Sequence, residues 1–221
     1  MTEQRAIDSP AAITAIAIAM YDQMTILDAI GPYQVLTWLP GAEVVLVGAE
    51  RGRVTDDKGL LHLDIEHTFD DVPTPDVVVV PGGYVTREMA HDGNPLVEWV
   101  RTAHPSTTWT TSVCTGALIL GAAGVLDGLD ATTHWIAYDE LASFGARPTE
   151  ERVVVRGKVI TGAGVSAGID MALRLVIELA GVETAQAIQL GIEYDPQPPL
   201  DAGSPSKAPD EIRELVLALN R

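Results

Sequence analysis

Two stretches of this chain are apolar almost without interruption: ITAIAIAM at 13–20 and VVVV within PDVVVVPGG at 75–83. A strand with one wet face alternates polar and apolar residues. A run without polar positions must be covered on both faces, which is the signature of a parallel sheet between helices. AEVVLVGAE (42–50) and TTWTTSV (107–113) read as further strands, and ERVVVRGKVITGAG (151–164) reads as a hairpin around Arg156-Gly157. Between them lie helical patterns: TILDAIGPYQVLTWL (25–39), expected to break at Gly31-Pro32, the amphipathic NPLVEWVRTAH (94–104), and paired helices over 166–181 and 183–194. DDKGLLHLDIEHTFDDV (56–72) is expected to supply a hairpin or short edge strands. Alternating strands and helices predict an α/β fold, a mostly parallel sheet with helices on both faces. A loose tail over 1–12 is expected to precede a single domain over 13–221, which ends in a proline-rich segment and a short helix.

The 31 acidic residues against 14 Lys and Arg give a formal charge of −17, which repels phosphate backbones and excludes nucleic acid as a partner. No apolar run reaches membrane-spanning length, so no membrane partner is expected. A single cysteine excludes an internal disulfide and a cysteine-based zinc site, and no metal is expected. That usage, with an N-terminus lacking a basic stretch followed by an apolar one, suits a cytoplasmic protein.

The lone thiol is Cys114, in SVCTGALILGAAGVL, where a strand gives way to a helix. Ligands of doubly wound sheets bind beyond the carboxyl ends of strands, and a sharp turn there would expose the side chain as a nucleophile elbow does. Such a turn should hold Cys114 at positive φ, and the following helix N-terminus should favour the thiolate. A lone cysteine is equally readable as a small buried hydrophobe. Gly82 and Gly83 end the valine strand, either as an ordinary turn or as amides that join the Thr115 N–H in an anion-stabilising pocket. Asp28 follows the first strand. It either completes a capping pattern with Thr25 or places a carboxyl beside the thiol for proton transfer. His134, in ATTHW, is either structural or a partner of the cysteine.

Taken together, VVVVPGGY, SVCTGALILGAAGVLDGLDATTHW, RVVVRGKVITGAGVSAGIDMALRLV and IEYDPQPPLDAGSP resemble the DJ-1/PfpI superfamily from Ile13 almost to the end. The last two resemble the branch that hydrates isocyanides (isonitriles) to N-substituted formamides. The resemblance implies a flavodoxin-like three-layer sandwich, a homodimer and no cofactor. It implies Cys114 as nucleophile, Asp28 as the acid that handles protons, Thr115 as its active-site neighbour, and Gly82 and Gly83 as pocket lining. Protease-like members carry His directly after the cysteine, so Thr115 counts against peptidase activity. His134 matches the histidine of sensor domains in AraC-type regulators. The alternatives are therefore a stand-alone small-molecule or redox sensor, or another cysteine enzyme such as a glyoxalase. The segment after residue 195 is too short for a DNA-binding domain, which favours an enzyme.

Overall fold

The computed structural model describes residues 14–91 and 93–219, and the tail expected over 1–12 lies outside them. The first apolar run is strand β1 (Thr14–Ala19), followed by helix α1 (Ile26–Leu36) and strand β2 (Ala42–Gly48). Strands β3 (Gly52–Thr55) and β4 (His62–Ile65) form a separate antiparallel hairpin, and β5 (His67–Thr68) is a two-residue edge strand. The valine run is β6 (Val77–Val80), followed by α2 (Thr86–His91) and α3 (Pro95–Ala103). Next come β7 (Trp109–Val113), α4 (Gly116–Ala122), the short β8 (Asp130–Ala131), α5 (Tyr138–Ser143) and β9 (Arg147–Pro148). The hairpin β10 (Val153–Arg156) and β11 (Val159–Gly162) leads into α6 (Ala167–Gly191), and α7 (Asp210–Leu219) ends the described chain.

Seven strands form one sheet in the order β10-β11-β7-β6-β1-β2-β5. Every neighbouring pair is parallel except β10 with β11. The unbroken apolar runs occupy the centre as their pattern requires, with Ile16, Ile18, Val77 and Val79 fully buried on one face and Ala17, Ala19, Val78 and Val80 buried on the other. Each of the buried isoleucines and valines stabilises the fold by roughly 1.5–3 kcal/mol relative to exposure. Helices α3 and α4 cover one face through Leu96, Val100, Leu118 and Leu120. Helices α1 and α6 cover the other through Val35, Leu36, Met171 and Leu175. The result is three layers.

Two local expectations are corrected. Helix α1 does not break at Gly31-Pro32 but carries Pro32 in its interior. Proline removes one helical N–H, and packing against α6 compensates: a Cβ on Gly31 would lie 3.3 Å from Ile169 Cγ1, and one on Gly168 would lie 3.2 Å from Pro32 Cδ. The hairpin expected within 56–72 draws its first strand from upstream, because Asp56 turns the chain by accepting the N–H groups of Leu60 and Leu61 at 2.9 and 3.0 Å. The paired helices after residue 166 are continuous except at Gly181, whose φ of 83° and ψ of 170° make the bend between them.

Candidate active site

Strands β11, β7, β6 and β1 lie side by side and parallel, so their carboxyl ends share one edge. The chain steps from β1 outward to β2 and elsewhere returns on the other side through β6, which opens a crevice between β1 and β6. Four connections meet there: β1 to α1, with Asp28 in the first turn of the helix, β6 to α2 with Gly82 and Gly83, β7 to α4 with Cys114 and Thr115, and β11 to α6 with Val165.

Cys114 sits at φ 55°. A non-glycine residue in that region costs about 1–3 kcal/mol and persists only where its surroundings fix it. Here the Cys114 N–H donates to the carbonyls of both Gly162 and Ala163 at 3.0 Å, and its carbonyl accepts the Thr133 hydroxyl at 2.9 Å. Gly116 lets the turn close, since a Cβ there would lie 2.2 Å from the Val80 carbonyl oxygen. The thiol is 5% exposed and reaches the floor of a cavity of about 200 Å³.

Asp28 is fully buried in the first turn of α1. The capping alternative does not describe it: the Thr25 side chain makes no cap bond, and Asp28 Oδ2 accepts the N–H of Gly82 at 3.0 Å. Its other oxygen, Oδ1, is buried with no hydrogen bond of good geometry. Burial raises the carboxyl from its ordinary 3.8 to about 7, while the Gly82 amide and a contact with the Cys114 thiol hold it back. The same burial, with the neighbouring Asp28 charge, pushes Cys114 up to about 12. The expectation of a resting thiolate is thereby corrected. Helix α4 begins at Gly116, and desolvation beside a carboxylate outweighs the partial charge of its short N-terminus. Cys114 therefore rests as a thiol, and Asp28, titrating near neutrality, is available in part as the carboxylate that can accept its proton.

Thr115 and Gly83 are reciprocally bonded. The Gly83 N–H donates to Thr115 Oγ1 and the Thr115 hydroxyl donates to the Gly83 carbonyl, both at 2.9 Å. With Gly82 N–H spent on Asp28, neither glycine amide is left for a ligand, contrary to the anion pocket expected from them. The amides that do face the Cys114 sulfur belong to Thr115 and Val165. Gly82 matters for a different reason: a Cβ there would stand 2.6 Å from the Thr115 nitrogen and 2.8 Å from Asp28 Oδ2. Tyr21 steadies the same loop by donating its hydroxyl to the Pro81 carbonyl at 2.7 Å.

His134 lines the cavity with Cys114. Its Nδ1 accepts the Ile136 N–H at 3.4 Å, which leaves the proton of the neutral ring on Nε2. Burial, and then the charge of Arg87, lower its pKa, so it is a neutral donor rather than a cation. Glycine at 164 makes room for it, because a Cβ would lie 2.5 Å from its Cδ2. Sequence reasoning missed Val165, Lys58, Tyr84 and Arg87, which complete the cavity from loops and from α2. The signal for Val165 was its place just past the end of β11, and the others carried none. Among the described residues no cluster of His, Cys, Asp and Glu is arranged to hold a metal ion, and no helix is long and apolar enough to cross a membrane.

A strained thiol beside a buried carboxyl can be compared with known proteins. The family model of the DJ-1/PfpI family matches residues 14–178. An isonitrile hydratase from Pseudomonas putida is 46% identical over 197 residues, which is 89% of this chain and 86% of that protein. A crystal structure of a ThiJ/PfpI family protein from Pseudomonas syringae superposes with a TM-score of 0.89 at 41% identity, covering 94% of this chain and 86% of the other. An HTH-type transcriptional regulator, CdhR of Pseudomonas aeruginosa, is 35% identical over only 92 residues, 41% of this chain and 27% of the regulator. The elbow, the sheet order and these similarities converge: the chain belongs to the DJ-1/PfpI family.

Proposed function

We propose that this chain hydrates isocyanides to N-substituted formamides, with Cys114 as nucleophile and Asp28 as proton carrier. One observation carries the reading: the sole cysteine is held in a strained turn beside a carboxyl raised to about 7. The 46% identity to an isonitrile hydratase over most of both chains supports the same reaction.

The isocyanide carbon has a lone pair and a low-lying empty orbital, so it accepts a nucleophile and a proton at one atom. Asp28 takes the thiol proton as sulfur attacks and delivers it to that carbon, giving the thioimidate Cys–S–CH=N–R. Asp28 then removes a proton from water as the oxygen adds to the same carbon, and passes that proton to the nitrogen. The C–S bond of the resulting S–CH(OH)–NHR breaks, the hydroxyl proton returns through Asp28 to sulfur, and R–NH–CHO leaves. The balance is RNC plus H₂O to RNHCHO, a hydro-lyase reaction run in reverse, and neither metal nor cofactor enters it. The Thr115 and Val165 amides offset charge on sulfur, and Thr115 and Gly83 lock the two loops together. His134 offers an N–H to the substituent end of the cavity.

We assign this activity to a single-domain cytosolic homodimer. Helix α3 buries Leu96, Val97, Trp99 and Val100 within the chain. Support for a dimer comes from α7, which leaves Ile212, Leu215, Leu217 and Leu219 exposed, and from the exposed Leu27 within α1 and Trp38 just after it. The deciding assay is incubation of the pure protein with an aryl isocyanide. Formamide should accumulate with turnover, and its absence would overturn the reading.

A further inference from the structure

Granting that reaction, we infer that Arg87 makes this an enzyme for isocyanides that carry a carboxylate. Arg87 lies on α2 and lines the same cavity as Cys114. Its Nε donates to Glu140 Oε1 at 2.9 Å, and the guanidinium carbon sits 5.5 Å from the centre of the Tyr84 ring. These contacts fix one edge of the planar group. They leave Nη1 buried with no hydrogen-bond acceptor in the protein. Arginine presents paired N–H donors that match the two oxygens of a carboxylate, and a buried donor without a partner calls for an explanation.

The charges around the cavity point the same way. Arg87 and Lys58 are its two lining cations, and Asp57 is the lining anion outside the buried Asp28. Lys58 pairs with Asp57 at 3.3 Å but is largely exposed, with a side-chain accessibility of 71%. Glu140 holds Arg87 through a single nitrogen, yet the Arg87 charge still acts on both His134 and Tyr84. In a chain of formal charge −17, a cavity lined by a guanidinium is a local exception that would gather an anion against the long-range field. A volume of about 200 Å³ suits a small substituent, such as a carboxylate one or two carbons from the isocyano group.

The test compares isocyanoacetate with its methyl ester, two isocyanides that differ by the charge. In the wild-type enzyme kcat/KM should favour the acid by about tenfold or more, carried mainly by KM. In Arg87→Gln that acid-to-ester ratio should fall toward one, and Arg87→Lys should fall between. Should Arg87→Gln fail to fold, product inhibition of the wild type decides: N-formylglycine should inhibit at least tenfold more strongly than its methyl ester. A wild-type ratio of one or below, or a ratio unchanged by Arg87→Gln, overturns the inference. If neither compound nor cyclohexyl isocyanide is hydrated, the reaction itself is wrong. Calorimetric binding of N-formylglycine, lost in Arg87→Gln, would then still uphold the carboxylate site.

Discussion

Replacing Asp28 with Asn removes one ionisable proton and little else, because the amide keeps the shape and an oxygen for the Gly82 N–H. Two consequences follow from the burial of this carboxyl. The first is kinetic. Asn cannot take the thiol proton or return it to carbon, and general acid–base catalysis typically contributes about 10²–10⁴-fold, so kcat should fall by that range. The second is thermodynamic and opposite in sign. The folded carboxyl titrates near 7, against 3.8 when free. Between those values the native state holds a proton that the unfolded chain releases, so wild-type stability falls as pH rises from about 4 to about 7 and is level above. The full gap corresponds to at most about 4 kcal/mol. Asn carries no such penalty. Relative to wild type, Asp28→Asn should gain stability between pH 5 and pH 8, by several degrees in Tm at about 2–4 °C per kcal/mol for a chain of this size. Formamide production at saturating aryl isocyanide and thermal unfolding at the two pH values measure both effects. An Asn variant with wild-type kcat would remove Asp28 from the chemistry. A Tm difference independent of pH would mean the carboxyl is not destabilised by burial.

Cys114→Ala should abolish turnover while leaving the circular dichroism spectrum intact, and as Cys114 is the only cysteine the variant should show no peroxide-oxidisable thiol by mass spectrometry; residual turnover would exclude it as nucleophile. Gly82→Ala drives a methyl to 2.6 Å from the Thr115 nitrogen and 2.8 Å from Asp28 Oδ2, so kcat should drop by roughly 10²-fold, as for an ångström of misplacement; an active Gly82→Ala variant would mean the two loops can part without harm. Light scattering should give about twice the 23.5 kDa chain mass, and a monomer at micromolar concentration would refute the dimer.

The sheet and much of the site could be read before the structure, for a definite reason. Strand ends in a parallel sheet converge, so Asp28 and Gly82 announce themselves after apolar runs, and Cys114 after the threonine-rich strand TTWTTSV. What could not be read depends on packing. Pro32 breaks α1 in isolation but not against α6, where Gly31 and Gly168 allow close approach. The helix N-terminus after Cys114 suggests a thiolate until the depth of burial and the neighbouring carboxylate are known. Gly82 and Gly83 look like free amides until their partners, Asp28 and Thr115, are seen to occupy them. Arg87 and Tyr84 lie in a helix and loop with no spacing to mark them, and only the fold turns them toward the cavity.

The four loops that meet at Cys114 have a consequence for how this protein comes alive. Asp28 and Val165 are separated by nearly the whole length of the sheet-forming chain, and they meet only after β1, β6, β7 and β11 have all paired. Parallel pairing joins distant segments and is slow to form. An intermediate that lacks any one of these pairings therefore cannot hold the complete site around the thiol. During refolding, secondary structure should return first and turnover last, so that catalysis serves as a clock for the final docking step. The nascent chain correspondingly carries its single thiol without the neighbouring groups that tune it, and acquires its chemistry in one late event.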